Sequence, residues 1–493
     1  MALIVIFVSF IILLVVIKLY IRKKYAYWKR KNIAYFTPTF PFGNMENPFS
    51  RKHFVGEWVQ MLYTKFKEQG TRHAGIYTLI SPVYLPIDPK LIKNIMQSDF
   101  YNFNDRGFYY NEKDDPLSAH LFAIGGNKWK HLRVKLTPAF NSGNIKKIFD
   151  TLMACTKEME EFVKIKCVNN EALDIKDVLS RLAANIIGSC ALGIACNSFQ
   201  SSEFCKIGLK IFSGTKLENL KFLFSHNNPE WARKLGLLEL PRECSNFFFE
   251  TVANAISYRE NNNISRNDIL QILIDEKNKH NNFTVNEIAA QALIFFLAGY
   301  ETSSTTMSFC LYELASNEDI QNRVRKEINF VLDSHNGELT YDVIMSLKYT
   351  QQVLDETLRK YPPGSVITRK CTNNYLIPDT DIVIEKGTSV VIPVLGLHRD
   401  PEYYPDPEKF DPERFSVTNK SKIVPFTYMP FGKGPRTCLG LSFALLEIKL
   451  TLCKLLRRYK FTVNEKTSIP LELDKYNFVL STNAAIWLNI EEV

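Results

Sequence analysis

The sequence predicts a mainly α-helical fold with a small β region, built as one large domain behind an N-terminal membrane-spanning helix. Three observations predict it. Ala2 to Ile17 is an apolar run broken only by Ser9. A capping box at Thr284-Val-Asn-Glu287 opens a helical run that continues to about Ala315. Strand-like segments are few and short, at residues 76–80, 83–87, 382–394 and 460–463.

The first element is the apolar run, extended by Leu19, Tyr20 and Ile21. As a helix it is roughly 30 Å long at ~1.5 Å per residue, enough to span a bilayer with Lys18 reaching back to the interface. A cleaved signal peptide fits poorly, because there is no basic segment before the run and no small-residue cleavage site after it. Seven basic residues and no acid follow between Lys18 and Lys31 (Lys18, Arg22, Lys23, Lys24, Lys29, Arg30, Lys31). Positive charge stays on the cytosolic side, so the rest of the chain is expected there. Without that cluster the chain has 54 basic residues against 52 acidic ones, and nucleic-acid binding is poorly supported.

Next, Thr37-Pro-Thr-Phe-Pro-Phe-Gly43 breaks any helix within seven residues and reads as a hinge. The expected organisation is a membrane anchor over residues 1–21, a basic linker and hinge over 22–45, and a globular body over 46–493. Ten cysteines are scattered without CxxC pairs, which suits thiols in a reducing compartment. Sequons at Asn263, Asn282 and Asn419 are then expected to stay unmodified.

After the first strand-like pair, the body to about residue 360 reads as helices separated by polar breaks near 168–171, 226–229, 260–268 and 277–282. No internal repeat or long linker divides it. The 35 Phe and 22 Tyr suit either a roomy apolar pocket or simply a large core.

The chemistry centres on Pro430-Phe-Gly-Lys-Gly-Pro-Arg436-Thr-Cys438-Leu-Gly440. Glycines, among them Gly432, let backbone N–H groups approach a sulfur, Phe431 shields it, Arg436 can pair with an anionic cofactor, and Gly440 lets the following helix pack close. That helix, from Leu441, puts a Cys438 thiolate near its positive end. A lone cysteine is more often a buried thiol, but five residue types at fixed spacing favour a metal-ligating thiolate.

Within the long helix, Ala298-Gly299-Tyr-Glu301-Thr302 places small residues where something flat can approach, with a hydroxyl beside an acid in a dry setting. Such a pair can relay protons; equally, the hydroxyls can bond i−4 carbonyls and merely bend the helix. Glu356 and Arg359 share a helix face, and Arg414 in the stiff Pro405–Phe415 coil can sandwich the carboxylate and brace the cysteine loop. Trp129 and Arg133, at i and i+4, present an indole N–H and a guanidinium, although such pairs are more often packing.

In this order, Trp129 with Arg133, Ala298-Gly299-x-Glu301-Thr302, Glu356-x-x-Arg359, Pro412-Glu-Arg-Phe415 and Phe431 to Gly440 resemble the cytochrome P-450 superfamily over essentially the whole chain. The stretches 104–121 and 136–140 look like insect microsomal detoxification members. Two departures are a hinge without the paired Pro-Pro-Gly-Pro of many microsomal members, and Ser303 where many carry a second threonine.

The resemblance implies one helical domain holding haem b, with Cys438 as proximal ligand. Trp129, Arg133, Arg369 and Arg436 would be propionate partners, with Ala298 and residues 430–432 and 440 around the macrocycle. Glu301 and Thr302 would handle protons. Phe122, Phe295, Phe296, Val366, Ile367 and Val479 would line a site for a lipophilic substrate. The implied reaction inserts one atom of O2, with the thiolate favouring O–O cleavage. No GxGxxG stands in a strand-turn-helix context, so electrons from NADPH would come through a separate flavoprotein reductase docking beside Lys433, with cytochrome b5 as a further candidate donor. The address would be the endoplasmic reticulum membrane. The rival readings are a haem-thiolate isomerase or dehydratase, against which the Glu301-Thr302 pair argues, and a membrane-tethered haem carrier without turnover.

Overall fold

A computed structural model describes residues 1–194, 196–200, 203–212, 215–280 and 283–493. The Asn282 sequon lies outside the described residues. The first helix, Ala2–Tyr25, is exposed from Ala2 to Tyr20, has no buried residue and is apolar enough to cross a membrane. It runs past the expected anchor boundary into Arg22, Lys23 and Lys24, because nothing after Ile21 breaks it.

Within the expected linker and hinge, residues 26–45 pack on the first sheet. Trp28 is fully buried and its indole N–H donates to the Ile76 carbonyl at 2.9 Å. Asn44 donates to the Phe36 carbonyl and accepts from the Tyr77 N–H, and Tyr35 and Gly43 bridge to the first strand. A large aromatic side chain in the basic stretch is what pulls it onto the sheet.

That sheet has four strands in the order His73–Thr78, Ser81–Pro86, Ser389–Ile392, Ile367–Lys370. The first two, at the strand-like segments 76–80 and 83–87, pair as an antiparallel hairpin. The last strand pairs antiparallel with Ser389–Ile392, Arg369 opposite Val390, so Ile367 and Arg369 fall on one face. The strand-like stretch 382–394 is split by a turn into Val383–Ile384 and Ser389–Ile392. Tyr459–Val463 pairs with the C-terminal strand Trp487–Glu492.

The long helix is Val285–Ser316, 32 residues, with its capping box formed as expected: Thr284 Oγ1 accepts from the Glu287 N–H, and the Glu287 carboxylate accepts from the Thr284 N–H at 2.8 Å. It packs against the helices Ile175–Ile187, Arg242–Asn262, Lys348–Lys360 and Leu441–Arg458. Twenty-one of its side chains are buried, so it forms the spine of the larger core rather than an amphipathic surface helix. A second core joins the four-stranded sheet to the helix Val55–Glu68. The ten cysteines form no disulfide.

Candidate active site

The long helix, the cysteine loop, the edge strand at Ile367–Lys370, the loop before the helix Gly126–Leu136 and a C-terminal hairpin enclose a cavity of about 340 Å³. Cys438 faces into it. Alone among the ten cysteines its side chain is exposed, although it lies deep in the protein; what it is exposed to is the cavity. The loop reaches this geometry through Gly434, whose φ of +74° is left-handed. A Cβ there would lie 1.9 Å from the Met96 carbonyl oxygen, so no other residue fits. The Cys438 N–H donates to the Phe431 carbonyl at 2.8 Å, closing the loop. Burial raises the thiol's pKa, while the Gly440 backbone N–H, Arg106 and Arg133 pull it down. Gly440 also caps the helix Leu441–Arg458, so the sulfur sits by a positive helix end.

Four guanidinium groups, from Arg106, Arg133, Arg369 and Arg436, line the same cavity with Trp129, and no carboxylate does. Arg436 donates to the Asn104 and Ile124 carbonyls at 2.8 and 2.7 Å and lies 4.2 Å from the Trp129 ring centre. Arg106 donates to the Arg436 carbonyl and stacks on Phe122 at 3.9 Å. Arg106 Nε, Arg369 Nε and Arg436 Nη1 remain buried without a partner. Burial lowers Arg106 to about 10. Burial, then repulsion by Arg106, lowers Arg436 to about 9. Arg369 falls well below the usual arginine range, first through burial and then through Arg106 and Arg436. Buried like charges with unused donors are costly unless an anion joins them. The two propionates of haem b are such an anion, and the thiol is free to bind its iron.

On the long helix, Ala298 is exposed to the cavity and Thr302 also lines it. Gly299 lines the cavity as well, and its smallness also serves helix packing, since a Cβ there would lie 2.3 Å from Ile187 Cδ1. At Gly440 a Cβ would meet only the Phe140 ring, at 3.9 Å, so the protein leaves that space to whatever the cavity holds. The Thr302 hydroxyl donates to the Ala298 carbonyl at 2.5 Å, and Ser304, Thr306 and Ser308 bond i−4 carbonyls in the same way. Thr302 therefore bonds its own helix, as the second reading expected, and also faces the cavity.

The acid points elsewhere. Glu301 is 5% exposed but is not on the cavity wall; its Oε1 accepts from Asn477 Nδ2 at 3.1 Å. Burial raises its pKa. Of the apolar positions, Phe122, Phe295, Val366, Ile367 and Val479 line the cavity, as do Pro430, Phe431 and Gly432. Phe296 does not, which corrects that expectation. One residue turns a helix by about 100°, and this turn carries Phe296 into the core against Phe204, Phe248 and Tyr300 at 5.8, 5.1 and 5.3 Å. Sequence reasoning missed Arg106, Phe108 and Phe478, which sit in loops with no periodic signal.

Glu356, Arg359 and Arg414 come together as a brace. Glu356 accepts from Arg359 Nε and Nη2 at 2.7 and 2.8 Å and from the Asp411 N–H at 2.9 Å, with Arg414 Nε 3.4 Å away. Arg359 further donates to the His398 and Pro407 carbonyls. Burial, then Arg359, pushes His398 down to about 3, leaving a neutral ring whose Nε2 accepts from the Met429 N–H. Met429 in turn accepts from the Gly432 N–H, so the brace reaches the cysteine loop through three bonds.

Residues 42–488 match the family model for "Cytochrome P450". The chain is similar to "Probable cytochrome P450 6a14" of Drosophila melanogaster, 43% identical over 491 residues and covering 96% of each chain. It is also similar to "Cytochrome P450 6A1" of Musca domestica, 40% identical over 96% of this chain and 95% of that one. "Cytochrome P450 6k1" of Blattella germanica is 37% identical over 96% of this chain and 94% of the other.

Proposed function

The chain belongs to the cytochrome P450 family, and from that premise we propose that it is a membrane-anchored monooxygenase acting on lipophilic small molecules. Members of the family hold haem b on a cysteine thiolate and take electrons from NADPH through a reductase. The overall reaction is RH + O2 + NADPH + H⁺ → ROH + H2O + NADP⁺. The observation that carries the reading is one cavity that holds a bare thiol and three unpartnered guanidinium nitrogens, with no acid to neutralise them.

Cys438 would ligate the iron, and Arg106, Arg133, Trp129, Arg369 and Arg436 would hold the propionates. When bound, the haem supplies the reductive activation of O2. Thr302 is placed to hold a proton-donating hydroxyl at the cavity wall, and Glu301 stands one residue away as its proton source. Phe122, Phe295, Val366, Ile367 and Val479 exclude water and favour apolar ligands. Lys433, exposed on the cysteine loop, marks the face for a reductase or cytochrome b5. The exposed helix Ala2–Tyr25 supports anchoring, with endoplasmic reticulum as the address and foreign lipophilic compounds as the substrate class.

Cys438→Ala tests the ligand assignment. The reduced CO complex of the wild type should show the red-shifted Soret band of thiolate ligation, and the variant should lack it; a retained band refutes the assignment. Reconstitution with reductase separates the rivals. A monooxygenase consumes NADPH and forms product, an isomerase turns over without reductase, and a haem carrier does neither.

A further inference from the structure

The C-terminal hairpin that walls the cavity also holds the acid. Residues 474–481 form its tip: the Asp474 N–H donates to the Ser481 carbonyl at 2.8 Å, and the Leu480 N–H donates to the Pro363 carbonyl at 3.1 Å. Phe478 and Val479 project onto the cavity. Asn477, 7% exposed, turns the other way. Its amide spends both ends: Nδ2 donates to Glu301 Oε1 at 3.1 Å, and Oδ1 accepts the N–H of Val479 at 3.0 Å. Glu301 is further faced by Lys176, Ser481 and Asp474, and Lys176 is itself tied to the Thr482 carbonyl of the same hairpin.

We propose that Asn477 is a positioning residue for proton delivery: it fixes the orientation of the Glu301 carboxyl on the long helix and couples it to the turn that touches substrate. One side chain thereby connects the wall a ligand presses on, at Phe478 and Val479, with the acid adjacent to Thr302. This rests on the monooxygenase reading above. In productive turnover two protons and two electrons reduce one oxygen atom of O2 to water while the other enters the substrate. If the second proton is misdirected, O2 + NADPH + H⁺ gives H2O2 + NADP⁺ and no product. A misplaced Glu301 therefore raises peroxide at the expense of product without altering ligand binding.

Asn477→Asp isolates the contact. The aspartate can still accept the Val479 N–H, so the turn is kept, but the amide donor to Glu301 is replaced by a second carboxyl. In the full-length haem-loaded chain, the infrared carboxyl band that disappears in Glu301→Gln should shift in Asn477→Asp. With reductase and 7-ethoxycoumarin as probe, peroxide released per product should rise roughly three- to tenfold, the scale of one lost hydrogen bond between uncharged groups. The spin-state change on probe binding should be unaltered, and the solvent isotope effect on product formation should increase. In the Glu301→Gln background the same substitution should add nothing. An unmoved infrared band, or unchanged coupling with a normal isotope effect, overturns the proposal. If Asn477→Asp does not load haem, Asn477→Ser, whose hydroxyl is too short to reach Glu301, carries the same test. Absence of NADPH-driven product in the wild type would instead overturn the monooxygenase reading, and the infrared band would still decide the Asn477 contact.

Discussion

Glu447 should make the protein less stable as pH rises, and Glu447→Gln should remove that dependence. The carboxyl is fully buried on the helix that follows the cysteine. Its Oε2 accepts from Ser303 Oγ at 3.0 Å and its Oε1 has no partner. Its charge acts on the buried thiols Cys155 and Cys190, and no cation contributes to its own pKa. Burial pushes it from 4.5 up to about 8. Between those values the folded chain holds a proton that the unfolded chain has released, so unfolding becomes easier as pH climbs through this window and levels off above it. At about 1.4 kcal/mol per pH interval, the loss reaches at most about 5 kcal/mol above pH 8. Glutamine matches the protonated acid in shape and keeps the oxygen that Ser303 bonds, without ever ionising. Urea unfolding of the haem-loaded chain, followed by tryptophan fluorescence from pH 5 to 9, measures the difference. The two proteins should lie closest near pH 5, diverge progressively from there to about pH 8 and stay apart by a constant amount above it, the variant being the more stable. Parallel profiles would refute the reasoning.

Glu356→Ala leaves Arg359 and Arg414 buried without a carboxylate and should cost about 3–5 kcal/mol, read as loss of haem-loaded protein and a shortened thermal half-life. An unchanged half-life would remove the brace from the account. Thr302→Ala deletes the one hydroxyl of the acid-alcohol pair that lines the cavity. Product per NADPH should fall by roughly tenfold or more, toward the range of a lost proton-transfer group, with peroxide rising correspondingly. Unchanged coupling counts against proton handling there.

Local signals in the sequence were strong where one element carries its own chemistry. The capping box at Thr284 located the start of the long helix because its two hydrogen bonds are made within four residues. Cys438 was legible because its loop needs glycines and a following helix, all within a short stretch. Phe296 was misjudged because adjacent aromatic residues on a helix look alike in sequence, and only the neighbouring helices decide which one faces a cavity and which a core. Residues 26–45 show the same dependence on distant partners. Basic side chains and prolines read there as a linker and hinge, while Trp28 docks on a strand more than forty residues away.

By itself the sequence determined the fold class, the membrane-compatible first helix, the thiol that faces the cavity and the partners of the Glu356 brace. These follow from spacing along one strand or helix, or from motifs that recur in a fixed order. Only the tertiary structure decided that Arg106 completes a cluster of four guanidiniums, that Thr302 faces the cavity while Glu301 turns away to Asn477, and that Gly299 makes room for Ile187. Each of those outcomes depends on which distant segment occupies the space beside a side chain. Glu301 and Asn477 stand 176 residues apart, and only the packing of the hairpin against the long helix brings them together.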